Sequence, residues 1–309
     1  MRKTISIILC CFNEEENIPV VVNSLHKVMQ GVDYDYEIIA VDDGSTDGTL
    51  AVLKSLSQND AHLFYIELSR NFGHQNALKA GLDFSRGDCL ISMDADMQHP
   101  PELIPVFIQK WEEGYDVVYT RRKEDKSLSF FKRKSSRLFY KSLNQISDIK
   151  LEEGTADFRL LDRKAADAII GLKEDDLFFR GLVKWIGFNQ YAIDYTPNAR
   201  YKGESKYSLK KMMRLALRGI TSFSIKPLYI AIYLGLFFAL AALLFIPYVI
   251  YSIYFGHPVS GWASTILTIV FFGGVQLCIL GIIGIYIGKI FKQVKYRPPY
   301  IVRSTNFEK

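Results

Sequence analysis

An α/β domain built on a mostly parallel sheet, followed by amphipathic segments and two membrane-crossing helices, is the fold class this sequence predicts. Three observations predict it. Short β-branched runs alternate with amphipathic stretches between Thr4 and Thr120, those runs end in polar turn-forming clusters, and two long stretches near the C-terminus carry no charge. The strand-like runs are Thr4 to Cys10, Tyr36 to Val41, Leu63 to Leu68, Cys89 to Met93 and Asp116 to Thr120. Helical patterns fall between them, near residues 15–30, 47–58, 73–84 and 101–113. Such alternation implies βα units around parallel strands, and in open sheets of this kind ligands bind beyond the carboxyl ends of the strands.

Four consecutive strand ends carry polar clusters: Cys11 to Asn17, Asp42 to Thr49, Ser69 to Asn76, and Asp94-Ala95-Asp96-Met97-Gln98-His99. One such cluster is what any loop looks like; four at one edge of a sheet indicate a binding cleft. Asp94 and Asp96 stand one residue apart where a strand runs out, so alternation turns both carboxylates to one face. Two hard oxygen ligands suit Mg²⁺ or Mn²⁺, which keep positions open for substrate phosphates; the plain alternative is a turn with solvated acids. Asp42 or Asp43 is placed to accept hydrogen bonds from a base or ribose. Gly44 and Gly48 read as turn residues, with Ser45, Thr46 or Asp47 as helix caps. Arg70 and Lys79 are candidates to neutralise a diphosphate, a surface role for Lys79 being equally open. His74 and His99 flank the cleft without companion nitrogen or sulfur ligands, which favours hydrogen bonding over metal binding.

Leu228 to Phe255 and Trp262 to Gly288 contain no Asp, Glu, Lys or Arg. Each exceeds the roughly 20 residues needed to cross a bilayer, with a tight turn at 256–261 between them and a kink expected at Pro247. Residues 201–226 hold seven Lys/Arg against one Glu, and Lys289, Lys292, Lys295, Arg297 and Arg303 come after the second stretch. This bias places the whole N-terminal domain and both termini on the cytoplasmic side of the inner membrane. The expected organisation is a domain over 1–200, a basic amphipathic segment over 201–226, a two-helix hairpin over 227–289 and a basic tail over 290–309. The net charge of +5 is mostly this collar, which suits anionic lipid heads, and no nucleic-acid module accompanies it. Residues 208–220 and 128–143 both read as basic amphipathic helices able to lie in the headgroup layer. Cys10, Cys11, Cys89 and Cys278 lack metal spacing and read as small apolar residues. Gly284 and Gly288 form a Gly-x-x-x-Gly pair for close helix contact, within the hairpin or in a homo-oligomer.

The sequence also strongly resembles the inverting nucleotide-sugar glycosyltransferases of glycosyltransferase family 2, and within it the polyprenyl-phosphate enzymes related to dolichol-phosphate mannose synthase and the bactoprenol glucosyltransferases. The motifs that carry the resemblance are CCFNEEENIP at 10–19, VDDGSTDGT at 41–49, SRNFGHQNALKAGLDFSRGD at 69–88 and SMDADMQHPPELIP at 92–105. GTADFRLLDRKA at 154–165, FFRGLVKWIGF at 178–188 and RYKGESKYSLKKM at 200–212 continue it. The resemblance implies a Rossmann-like GT-A domain. It implies that Phe12, Asn13, Glu15, Asp42, Asp43, Arg70, Lys79, Asp94 and Ala95 bind the nucleotide sugar, and that Asp94, Asp96 and Gln98 hold Mg²⁺ or Mn²⁺. It marks Asp157, with Asp96, as catalytic, and Arg121, Arg137, Arg200 and Lys206 as phosphate-binding for the acceptor. The Gln-x-x-Arg-Trp motif of processive members is missing, the nearest segment being Arg180 to Trp185, which implies transfer of one sugar.

On this reading one sugar, glucose from UDP-glucose as the first choice, passes to undecaprenyl phosphate. GDP-mannose, UDP-N-acetylhexosamine and a UDP-aminoarabinose derivative are the other donors to consider, and a non-catalytic sugar-nucleotide-binding scaffold is the rival from another class. Asp157 keeps three readings at this point: a base or acceptor-orienting group, a sugar-hydroxyl ligand, or a cap of the turn after Gly154.

Overall fold

The computed structural model describes residues 2–122, 152, 154–174, 177–196, 219–255 and 261–307. The five expected runs form β1 (Thr4–Cys11), β2 (Asp35–Asp42), β3 (Leu63–Leu68), β4 (Cys89–Asp94) and β5 (Val117–Arg122). Between them lie α1 (Ile18–Met29), α2 (Thr49–Ser57), α3 (His74–Phe84) and α4 (Ile104–Glu112). Three further strands, β6 (Thr155–Asp162), β7 (Gln190–Tyr195) and β8 (Val302–Thr305), and two short helices, α5 (Arg163–Ile170) and α6 (Phe179–Trp185), complete the soluble part. All eight strands make one sheet in the order β7-β5-β6-β4-β1-β2-β3-β8.

The pairs β1–β2, β1–β4, β2–β3 and β5–β7 are parallel. β6 runs antiparallel between β4 and β5, and β8 antiparallel along β3. The chain therefore builds outward from β1 through β2 and β3, then returns to add β4 on the other side. That reversal opens a crevice at the carboxyl ends of β1 and β4.

Alternation along the strands divides the core into two layers. Ile5, Ile7 and Leu9 of β1 pack with Leu25, Leu53, Phe107 and Trp111 of α1, α2 and α4. Ile8, with Ile39 and Val41, faces Leu78, Leu82, Ile169 and Leu182 of α3, α5 and α6. Each such aliphatic side chain contributes about 1.5–3 kcal/mol by leaving water. Gly81 lets α3 close onto the sheet, because a Cβ there would collide with the Ile8 side chain.

The C-terminal part revises the expected tail at 290–309. Its four-residue β8 pairs with β3, and Phe307 is buried and stacks on Phe64 at 4.5 Å. The edge that β3 would expose is thereby covered, which removes an open pairing surface. Between the soluble part and this strand stand α7 (Lys226–Tyr254), with Pro247 inside it, and α8 (Trp262–Val294). Phe238 of α7 meets Phe271 and Phe272 of α8 edge-on at 5.8 and 5.0 Å. Among the described residues one stretch, Phe271–Val294, is long and apolar enough to cross a membrane, and Lys226–Ala241 is a shorter apolar helix. α8 is tied back to the soluble part: the Tyr286 hydroxyl donates to the Ser224 carbonyl at 2.7 Å, and Gln293 Nε2 donates to the Lys173 carbonyl. The expected amphipathic helix at 128–143, nearly all of that at 208–220, and the turn at 256–260 lie outside the described residues.

Candidate active site

A cleft of about 280 Å³ lies at the reversal point, bounded by the ends of β1 and β4, the loop after β2 and the start of α3. Phe12, 45% exposed, lies on its wall beyond β1. The loops after β1 and β2 are stapled together. The Asn13 backbone N–H donates to Ser45 Oγ at 2.9 Å, Asn13 Oδ1 accepts from the Thr46 N–H at 2.8 Å, and Glu15 accepts from the Gly48 N–H at 3.0 Å. Asn13 and Glu15 thus shape the cleft through the backbone they hold.

The two aspartates after β2 divide the work of fixing this edge. Asp42 accepts from the Ser45 N–H at 3.1 Å. Asp43 reaches across to the loop after β3 and accepts from the N–H groups of Phe72 at 2.7 Å and Gly73 at 2.9 Å. Burial pushes both carboxyls above their usual range, opposed by these donors. Gly44, directly after Asp43, has φ +66°, and a Cβ there would meet the Arg70 backbone at 2.5 Å, so no other residue fits without moving the loop.

Asp94 ends β4 and Asp96 lies one turn on, where Met97 at φ +60° reverses the chain. Both aspartates and the buried Ala95 line the cleft. The expected shared face is therefore met, although by a turn rather than by strand alternation. The Asp94 N–H donates to His99 Nδ1 at 3.0 Å, so the proton of this neutral ring sits on Nε2, 3.7 Å from Asp94 Oδ2. Burial holds His99 below its usual pKa, and its ring stacks on Phe158 at 5.1 Å. The Gln98 N–H donates to Asp96 Oδ1 at 3.1 Å, and Gln98 Oε1 accepts from Arg122 at 3.4 Å.

Opposite Asp94, His74 at the start of α3 comes within 3.6 Å of Asp94 and 3.9 Å of Asp157. Burial alone would lower its pKa, but Cys10, Asp94 and Asp157 raise it well above the ordinary value. Asp157 on β6 is clamped: Oδ1 accepts from Arg159 at 2.8 Å and Arg180 at 3.2 Å, and Oδ2 accepts from Arg180 at 2.9 Å. Burial would raise this carboxyl, yet the two guanidiniums hold it far below the carboxylate range. It is not the cap of the turn after Gly154, and a carboxylate bound this tightly is a poor proton acceptor.

The clamp has a signature in the pH dependence of stability. A depressed folded-state pKa gives stability that is present above the unfolded value and is lost only as pH falls through the folded one. The gap in Tm between wild type and Asp157→Asn is therefore expected to stay constant from about pH 8 to about pH 5 and to shrink only in stronger acid. A gap closing within that range would show Asp157 titrating where a general base would.

Not every expected residue joins the cluster. Lys79 is buried on the far side of α3, where its Nζ bonds Asp83 and, at 3.1 Å, the Ile170 carbonyl; it lines a separate cavity. Arg121 pairs with Asp194 at 2.8 Å and Glu152 at 3.5 Å. Alternation turns it to the face opposite Arg122, and it is Arg122 that reaches Gln98. Arg137, Arg200 and Lys206 lie outside the described residues. The motifs and spacings of the sequence do not single out Arg122, Arg159 or Arg180. Arg159 was findable, since it stands two residues from Asp157 on one strand and so shares its face.

Comparison with known proteins identifies the family. Residues 6–170 match the family described as Glycosyl transferase family 2. The chain is 43% identical to the uncharacterized glycosyltransferase YkcC of Bacillus subtilis (strain 168), over 97% of this chain and 93% of that one. It is 40% identical to the SfII prophage-derived bactoprenol glucosyl transferase of Shigella flexneri, over 98% of each chain. A solved structure of glucosyl-3-phosphoglycerate synthase from Mycobacterium tuberculosis with Mn²⁺, UDP and phosphoglyceric acid is 19% identical, with a TM-score of 0.45 over 71% of this chain and 76% of that one. With its matched motifs at the carboxyl edge of the sheet, and with relatives of this identity over nearly its whole length, the chain belongs to glycosyl transferase family 2.

Proposed function

We propose that the protein transfers one glucosyl unit from UDP-glucose to a polyprenyl phosphate, undecaprenyl phosphate in the first instance, with inversion at the anomeric carbon, on the cytoplasmic face of a membrane. The observation that carries this reading is the meeting of Asp94, Asp96 and Asp43 in one cleft at the reversal point of the sheet. The 40% identity to a bactoprenol glucosyl transferase supports the choice of sugar and acceptor. The apolar stretch Phe271–Val294 supports a membrane anchor, and α7 together with α8 would make the two-span hairpin.

The donor set fits a hard divalent ion. Asp94 and Asp96 offer carboxylate oxygens to one cleft, and among the described residues there is no group of three His, Cys, Asp or Glu suited to a metal. That is the arrangement of an ion held by one or two carboxylates and completed by substrate phosphates and water. Asp94 and Asp96 would hold Mg²⁺ or Mn²⁺, with Gln98 beside them. Bound there, the ion would offset the charge gathering on the departing diphosphate.

The chain's own residues account for the rest. Phe12 offers a flat apolar wall for the base, and Asp43 fixes the loop against which the nucleoside lies. An acceptor phosphate monoester has a second pKa of about 6 and is largely ionised near neutrality. Its oxygen attacks the anomeric carbon as the bond to the diphosphate breaks, so no strong base is needed. Asp157, committed to two guanidiniums, positions Arg180 and Arg159 beside His74.

The test is direct. Purified protein with undecaprenyl phosphate, Mg²⁺ or Mn²⁺ and a panel of labelled nucleotide sugars is expected to move label from UDP-glucose into the lipid phase, and EDTA is expected to stop it. Label from a different donor would reassign the sugar. No transfer from any donor, with nucleotide still bound, would make the protein a scaffold.

A further inference from the structure

A second cavity, of about 590 Å³, adjoins the cleft and shares Gly73 and His74 with it. Its walls come from two places distant in sequence: the loop after β3, with Arg70, and the segment beyond α8, with Lys292 and Arg297. Among the described residues no acidic side chain lines it. Within the same set none of these three cations is ion-paired: Arg70 lies over the Phe72 ring at 4.1 Å and donates to the Asn71 carbonyl at 3.1 Å, and neither Lys292 nor Arg297 meets a carboxylate. Elsewhere in the same domain cations such as Lys79, Arg121, Arg159 and Lys184 are matched with acids. Three cations facing one space repel one another, and an anion between them relieves that repulsion.

The cavity is also preorganised. Tyr296 turns the chain at φ +48°, and Pro298 and Pro299 stiffen the run that leads into β8. The Ser69 N–H donates to the Ile301 carbonyl at 2.8 Å, and Arg303 donates to the Ser69 carbonyl at 2.7 Å, so the segment is fastened to the very loop that carries Arg70. Tyr300 donates to Asp83 at 2.8 Å from the other side. The expected basic tail is thus folded into a wall.

Its position selects the anion. Lys292 stands at the end of the apolar stretch Phe271–Val294, the level at which a lipid-borne phosphate rides at a bilayer surface. The inner wall, His74, is within 4 Å of both Asp94 and Asp157, so an anion in this cavity borders the reacting centre. We propose that Arg70, Lys292 and Arg297 bind the phosphate monoester of the lipid acceptor in this cavity, at the junction of the cleft and the membrane helix. The identity of the acceptor rests on the function proposed above; the phosphate site itself does not.

Two arms separate the sources of phosphate. Calorimetry with a short-chain, water-soluble isoprenyl phosphate is expected to show binding to the full-length protein in neutral detergent, and the double variant Lys292→Ala/Arg297→Ala is expected to weaken it about tenfold or more. UDP-glucose binding should stay within about twofold, because the cleft of Asp94 and Asp96 is untouched. In turnover assays KM for the acceptor should rise by a like factor for short and long chains, and the charge-keeping Lys292→Arg/Arg297→Lys should recover most of it. Loss of UDP-glucose affinity instead would give the cavity to the donor diphosphate. An effect confined to vesicles of anionic lipid would make these cations a headgroup contact, and unchanged binding of the short-chain phosphate would remove the site. If the wild-type protein bound the short-chain phosphate through these cations yet transferred no sugar, the proposed function would fall and the phosphate site would stand.

Discussion

Asp94→Asn is expected to lower kcat for sugar transfer by about 10²–10³, or ~2.7–4 kcal/mol of barrier, while leaving the fold intact. The substitution keeps size and hydrogen-bonding shape and removes one charge. The fold should tolerate it because what anchors this position is the backbone: the Asp94 N–H bonds His99 Nδ1, and β4 pairs with β1 on one side and β6 on the other. The side chain is about one-third exposed to the cleft, so the loss falls on whatever binds there. Its charge faces the rings of both His74 and His99, and a neutral amide leaves His74 without one of the two carboxylates that raise its pKa. The measurement pairs single-turnover transfer with a titration of the divalent ion. A higher ion concentration at half-activity, together with the fall in rate, assigns Asp94 to the ion and the diphosphate. A rate within threefold of wild type would remove it from the site.

What the sequence makes legible here is set by how local the cause is. β1 to β4 are readable because their β-branched runs are buried on both faces and are bounded by turn-forming residues that act within a few positions. The strand-end clusters are readable for the same reason, which is why Asp43, Asp94 and Asp96 were expected in one cleft and are found in one. β8 had no such signal. Four residues become a strand because Phe307 finds Phe64 and Phe84, and because Asn306 accepts from the Tyr65 N–H at 2.7 Å, contacts that span most of the chain. The basic residues failed in a different way. Charge nominated Lys79 and the family resemblance nominated Arg121 as phosphate ligands, but helix face decides the first and strand parity the second. Asp83 lies one helical turn beyond Lys79 and Asp194 lies across the ladder from Arg121, so each cation had an acid within reach before any ligand arrived. Lys292 and Arg297 read as lipid-facing collar residues because nothing near them in sequence reveals the loop after β3 as their neighbour.

Asp157→Ala is expected to cost about 3–5 kcal/mol of stability, because it strands a charge rather than merely deleting one. Arg159 is a fully buried side chain, 2% exposed, and its remaining contacts are the Ala156 carbonyl at 3.1 Å and the Phe179 carbonyl at 3.4 Å, with Nε unpartnered. Two carbonyl dipoles do not replace a carboxylate for a guanidinium out of water. For a domain of this size the loss corresponds to a fall in Tm of roughly 6–20 °C. Removing the second charge should return part of it. Arg159→Met fills similar volume with apolar atoms, and buried ion pairs replaced whole by apolar groups are often near neutral. The double variant Asp157→Ala/Arg159→Met is therefore expected to be more stable than Asp157→Ala alone, with a coupling energy of about 1–3 kcal/mol. It should still be poor at transfer, because Arg180 then loses the Asp157 carboxylate that lies beside His74. Recovery of stability without recovery of turnover would make the Asp157 clamp an organiser of the reacting centre. Recovery of both would reduce Asp157 to a counter-ion for Arg159, and failure to recover either would mean that the cost lies in the packing of β6 against α6.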